Sequence, residues 1–338
     1  MIESKEFIRL APEVMQAKFE TILKADFSPE KATRMARVFM ENSLDGVYSH
    51  GTNRFARFVK QVREGLIRVD AEPECVAQSG AVEQWHGNSG PGILNAIRCS
   101  ERAREIAAEH GMGCVALAHT NHWMRGGTYG WETARAGYAY IAWSNTIAHM
   151  PPWGSTDARL GNNPLVLALP YEGQAIVLDM ALSQFSFGAL DHKIMRGEML
   201  EVPGGYNRNG ELTNDPGEIL HSGRVLPVGY WKGAGLSLLL DLLGTILSNG
   251  LSVHQVTKQG RETNVSQVFI AIRLNTLSNA PGVDSIIRSI IMDYHQSSSV
   301  TGKPPVYPGE RVLQTREENR RLGIPVAKTI WEEIVNLG

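Results

Sequence analysis

Two short stretches combine residue types that move protons with residue types that bind acids. In SHGTNRF, residues 49–55, His50 stands between a serine and a glycine, and Arg54 follows four residues on. Imidazole titrates near neutral pH, so His50 can give or take a proton. A guanidinium offers a fork of donors that suits a carboxylate. In HTNHWMRGGTYG, residues 119–130, His122 and Arg125 repeat the combination in a glycine-rich turn. Either stretch alone reads more plainly as a surface imidazole beside a solvated arginine. Two in one chain point to proton transfer next to a bound organic acid.

Other motifs are less telling. GMGCVA, residues 111–116, has dinucleotide-fingerprint spacing, but a helix precedes it and a strand follows, the reverse of what that motif needs. A helix-capping glycine explains Gly111 better. WKGAG, residues 231–235, opens a helix whose free amides suit an anion, yet it lacks the spacing of a Walker loop. His119 and His122 stand three apart with no acid or cysteine at matching spacing, so no metal site is expected. Asp191 and His192 read as surface polar residues.

The elements that would hold these residues follow from periodicity. Lys5–Lys24 has helical spacing, and Ser28-Pro29-Glu30 starts a second helix that ends near Gly46. Ser49 is placed to cap a third helix, beginning at His50 and ending near Gly65, with Arg54 one turn along the same face. GNSGPG, residues 87–92, leads into a long helix. Short apolar runs then read as buried strands: CVALAH, YAYIAW, PLVLALP and AIVLDM, with the helix TYGWETARAG between the first two. A helix runs from WKGAG to about Asn249, QVFIAIRL is a strand, and PGVDSIIRSIIMDYH a helix. TGKPPVYPGE is a loop by its prolines, and two helices, one to Gly323 and one from Pro325, finish the chain. Alternating strands and helices predict an α/β fold with helical segments at both chain ends.

Composition narrows the class further. With 33 basic and 35 acidic side chains and no basic block, a nucleic-acid partner is not expected. The longest apolar run, residues 236–247, is too short to span a bilayer and contains Asp241, so no membrane partner is expected either. MIESKE lacks the charge and apolar pattern of a signal peptide. Cys75, Cys99 and Cys114 form neither a disulfide framework nor a metal cluster. These features predict a cytoplasmic protein.

Several spaced motifs together resemble the malate/L-lactate dehydrogenase family, which is distinct from the Rossmann-type lactate and malate dehydrogenases. They are SHGTNRF around His50, NHWMRGG at 121–127, MPPWG at 150–154, LDMALSQFSFG at 178–188 and GYWKGAG at 229–235. The resemblance runs nearly end to end. It implies a mixed-sheet core with a non-Rossmann NAD(P)-binding fold, and a homodimer in which a partner completes the site near His50. It implies division into a helical segment, 1–70, packing with 305–338, and a core, 71–304, that binds cofactor and substrate. His50 is implied as proton donor, with His122 and Arg54 as its companions at the substrate. The cofactor would lie on a strand made of Ala175, Ile176, Val177, Leu178, Asp179, Met180 and Ala181, on Trp231 and Lys232, and on the turn Gly309, Glu310 and Arg311. The implied cofactor is NAD, as NADH in preference to NADPH. The implied reaction is reduction of the C2 carbonyl of a small-molecule 2-oxo acid, with 2,3-diketo-L-gulonate favoured. L-lactate, L-malate, ureidoglycolate or a cyclic imine is the alternative, and a non-catalytic binder of the same fold is the rival from another class. One departure stands out: the family commonly has Gly-Thr-Asn-Pro where this chain has Gly161-Asn162-Asn163-Pro164, an amide in place of a hydroxyl.

Overall fold

A computed structural model describes residues 6–300 and 302–338. Met1–Lys5 and Thr301 lie outside the described residues, and with them the opening of the N-terminal segment. A seven-stranded mixed sheet forms the centre, in the order Glu74–Ser79, Val82–His86, Met112–Thr120, Val265–Arg273, Tyr138–Ser144, Leu165–Tyr171 and Gln174–Met180. Only Val82–His86 and Met112–Thr120 pair in parallel, and the Gly92–His110 helix joins them. The central strands are apolar throughout because both faces are covered. Val115, Leu117, Tyr140, Ala142, Phe269 and Ala271 face one hydrophobic core. Their neighbours Cys114, Ala116, Trp143 and Val268 face another.

The first core is shared with the N-terminal helices, Pro12–Leu23, Pro29–Leu44 and Thr52–Arg63. Phe19, Phe39, Phe55 and Phe58 interlock there, with Phe19 stacked on Phe55 at 4.2 Å between ring centroids. Such contacts outweigh the individual propensities and hold three short helices as one layer. Ser28 caps the second helix, its hydroxyl accepting from the Lys31 amide, and Gly111 closes the Gly92–His110 helix at φ 83°. Both follow the sequence expectation. The second core fills the region of residues 148–248, where the Trp231–Ser248 helix packs against the other sheet face.

Three expectations need correction. Residues Phe7–Leu10 are a strand rather than the start of a helix, because Ile324–Ala327 pairs with them antiparallel. For the same reason Pro325 lies in a strand, and the last helix begins at Lys328. The hairpin Glu74–Ser79/Val82–His86 had no place in the sequence reading; its outer strand is exposed along its whole length and has no apolar periodicity. Among the described residues, no helix is long and apolar enough to cross a membrane.

Candidate active site

His50 does not begin a helix. It ends a tight 3₁₀ turn, Tyr48–His50, and Gly51 separates it from the Thr52–Arg63 helix. The last turn of the Pro29–Leu44 helix dictates this shape. Asn42 Nδ2 donates to the His50 carbonyl at 2.9 Å, and the Ser43 hydroxyl accepts from the Thr52 amide at 2.9 Å. A Cβ on residue 51 would collide with the Ser43 hydroxyl, so only glycine fits. Ser49, expected as a helix cap, instead shares a hydrogen bond with His50 Nδ1 at 2.9 Å. This leaves Nε2 to face other partners.

His122 follows the Met112–Thr120 strand in a strained loop, with positive φ at His119 and Met124. Its Nδ1 accepts from the Met124 amide at 2.9 Å, which places the proton of the neutral ring on Nε2. The two imidazoles lie nearly parallel with centroids 5.7 Å apart. Burial pushes His50 down to about 4, helped by the positive charges of Arg54 and Arg125. This burial, rather than the helix dipole, accounts for its shift. Burial likewise holds His122 well below the usual range, with Arg54, His50 and Arg57 adding to it. Both rings are therefore neutral at neutral pH.

Arg54 lies in the first turn of the Thr52–Arg63 helix, beside the histidines. Its side chain is 18% exposed and its Nη2 stands 3.6 Å from Glu262. Among the described residues, its Nε is buried without a hydrogen-bond partner. A buried guanidinium with an idle donor is costly unless something else meets it. Glu262, an acid in the turn before the central Val265–Arg273 strand, was not read from the sequence; no spacing rule links it to residue 54.

Arg125 turns away from this pair. It donates to Asp45 Oδ2 at 2.5 Å, and Arg316 holds the same carboxylate at 2.6 and 2.8 Å. Asp179, read only as part of the cofactor strand, also joins this network: its carboxylate accepts from the Gly127 amide at 2.8 Å and approaches Arg125 Nε at 3.8 Å. Asp45 and Arg316 went unread because 271 residues separate them. A cavity of ≈ 700 Å³ is lined by Asp45, Trp131 and Arg316 but by none of His50, His122 and Arg54. Its lining residues include no imidazole.

Backbone hydrogen bonds tie the three segments expected to hold the cofactor to one another. Pro308 accepts from the Val177 amide at 3.0 Å, which lays the turn before Gly309 on the edge strand. Gly309 takes φ 96° and starts the Glu310–Leu322 helix. Farther along, Val228 donates to Leu182 and Gln184 to Leu226, at 2.8 and 2.7 Å, and so deliver Trp231 and Lys232 to the end of the same strand. Both are exposed on the first turn of a helix. Ala175 and Val177 are buried, while Ile176, Leu178, Met180 and Ala181 are partly open. Glu310 is occupied within its own loop, accepting from the Tyr307 amide at 3.0 Å, and Arg311 is exposed. Asn162, at the departure noted above, accepts from the Thr146 hydroxyl at 3.0 Å.

The chain is an oxidoreductase that acts on 2-hydroxy and 2-oxo acids with a pyridine nucleotide: the family model described as malate/L-lactate dehydrogenase matches residues 10–335, and the chain belongs to that family. It is similar to 2,3-diketo-L-gulonate reductase of Escherichia coli strain K12, 43% identical over 326 residues that cover 95% of this chain and 98% of that one. The fold is that of malate dehydrogenase from Entamoeba histolytica, with a TM-score of 0.92, 21% identity and coverage of 98% and 97%. Malate dehydrogenase from Pyrococcus horikoshii OT3 matches with a TM-score of 0.89, 25% identity and coverage of 100% and 96%.

Proposed function

We propose that this chain reduces the C2 carbonyl of 2,3-diketo-L-gulonate, with His50 as proton donor, His122 as a substrate ligand and Arg54 as the carboxylate anchor. The observation that carries this reading is the neutral His50–His122 pair beside an arginine whose Nε lacks a partner. NADH is the expected cofactor, and when bound it supplies the hydride. The line of Val177, Gly309 and Lys232 fits an elongated dinucleotide: Lys232 and the open helix start at Trp231 favour its phosphates, while Gly309 brings backbone close to the strand.

The protein's own residues have separable tasks in this reading. Arg54 holds the acid end of the substrate through its idle donor. His122 Nε2–H donates to a substrate oxygen, and its tautomer is fixed by Met124. His50 gives a proton to the developing alkoxide, the tight turn fixing its backbone and Ser49 its ring. The identity to the Escherichia coli reductase favours 2,3-diketo-L-gulonate over smaller acids.

A homodimer in the cytoplasm completes the proposal. The Trp231–Ser248 helix leaves Leu239, Leu242, Leu243 and Ile246 between 44% and 69% exposed, an apolar face of the kind that partners cover. Residues 1–70 with 305–338 are taken as one structural unit and 71–304 as the other. The deciding experiment follows absorbance of NADH, then NADPH, with a panel of 2-oxo acids that includes 2,3-diketo-L-gulonate and pyruvate. No oxidation with any acid overturns the reading.

A further inference from the structure

Among the described residues, Glu262 is the one charged partner of Arg54 that the mechanism leaves unused. The two side chains are 16% and 18% exposed, and their nearest atoms stand 3.6 Å apart, long for an ion pair. The turn that carries Glu262 is held in place: Gln259 Oε1 accepts from Thr263 Oγ1 and Asn264 Nδ2 at 3.3 Å each, and Asn264 Oδ1 accepts from Ser89 at 3.1 Å. The backbone that carries Glu262 is therefore held, and its side chain, 16% exposed, lies beside the guanidinium. A substrate carboxylate seated on Arg54 would be the second anion on one guanidinium in a largely water-free place.

We propose that Glu262 is a positioning residue that competes with the substrate for Arg54, so that the enzyme takes up a proton at Glu262 when a 2-oxo acid binds. The inference rests on Arg54 as the carboxylate anchor. Two close carboxylates cannot both stay ionised without cost, and the proton goes to the weaker acid, the glutamate, because a 2-oxo acid holds a proton far less tightly. Burial already raises Glu262 above the usual carboxylate range, with Arg54 and Arg57 pulling the other way. These two guanidinia, both on the Thr52–Arg63 helix, are the charges that face it. His50 and His122 are the other titratable groups around Arg54; burial holds His50 down to about 4 and His122 well below the usual imidazole range, so both are neutral at neutral pH. Without substrate, Glu262 partly neutralises the guanidinium; with substrate, it yields that place as an uncharged acid.

The sign of the pH effect follows from linkage. Substrate binding favours the protonated form, so affinity is highest below the Glu262 pKa of the free enzyme. Between that value and the higher one of the complex, KM rises by up to about tenfold per pH unit. KM is to be measured from pH 5.5 to 8.5 for 2,3-diketo-L-gulonate and for pyruvate, with wild type, Glu262→Gln and Arg54→Lys. Proton uptake is to be counted calorimetrically in two buffers of different ionisation enthalpy, on adding the same acids to wild-type enzyme saturated with NAD⁺, which cannot turn over. The expected result is a rising wild-type KM, net uptake of up to one proton, and a flat profile in Glu262→Gln. A pH-independent wild-type KM with no uptake, or an unchanged slope in Glu262→Gln, overturns the inference while leaving Arg54 as anchor if Arg54→Lys raises KM. An unchanged KM in Arg54→Lys removes the anchor itself, and the inference with it.

Discussion

At the scale of single residues, the two histidines are held by different hydrogen bonds, and the proposed function gives them different work. His50 is tied to Ser49 through Nδ1, and His122 to the Met124 backbone. Loss of a positioned acid lowers rate by about 10²–10⁴-fold. His50→Ala should lower kcat on that scale with NADH affinity retained, whereas His122→Ala should act chiefly on KM. Stopped-flow NADH binding and steady-state kinetics separate the two, and the opposite pattern reverses the assignment. Arg54→Lys keeps the charge but loses the fork, so KM should rise several-fold or more at fixed pH. Acid should also weaken the fold. An unfolded histidine takes up a proton near its ordinary value, while folded His50 refuses it until about pH 4. Stability should fall as pH drops through the interval from about 6.5 to 4. Thermal melts of His50→Gln should lose part of that dependence; an identical slope in the variant would show that His50 does not contribute. Histidine and arginine types were legible in the sequence, because their chemistry is local. The burial that holds both rings neutral, and the smaller contributions of Arg125 on His50 and Arg54 on His122, were not, because only the fold creates them.

At the scale of elements, the Asp45 knot links three segments: the end of the Pro29–Leu44 helix, the start of the Gly126–Arg135 helix and the middle of the Glu310–Leu322 helix. All three charged side chains are at most 10% exposed. Removing Asp45 takes the shared anion from two buried guanidinia and leaves Asp179, 3.8 Å from Arg125, as a distant substitute. Asp45→Ala should therefore cost about 3–5 kcal/mol, the range for breaking a buried pair, and denaturant titration should show it. A loss under about 1 kcal/mol, the scale of exposed pairs, would mean water reaches the knot. The strands were largely legible, since PLVLALP and AIVLDM are apolar runs bounded by turns. The strand Phe7–Leu10 was not, because four residues adopt extended structure only through a partner more than 300 residues away. A local pattern cannot carry that information.

At the scale of the whole molecule, the exposed leucines of the Trp231–Ser248 helix point to a second copy of the chain. Leu242→Asp should yield monomers by light scattering; a variant that remains dimeric places the interface elsewhere. The pairing of Phe7–Leu10 with Ile324–Ala327 has a further consequence, for the order of events during synthesis. The segment that carries His50 leaves the ribosome well before the strand that pairs with its beginning and the second arginine on Asp45, which lies 271 residues further on. Until then the nascent N-terminal helices hold an unpaired strand edge and an anion one partner short. A translating chain arrested before Arg316 should expose that edge to chaperones and remain without activity, however long its core has been free to fold.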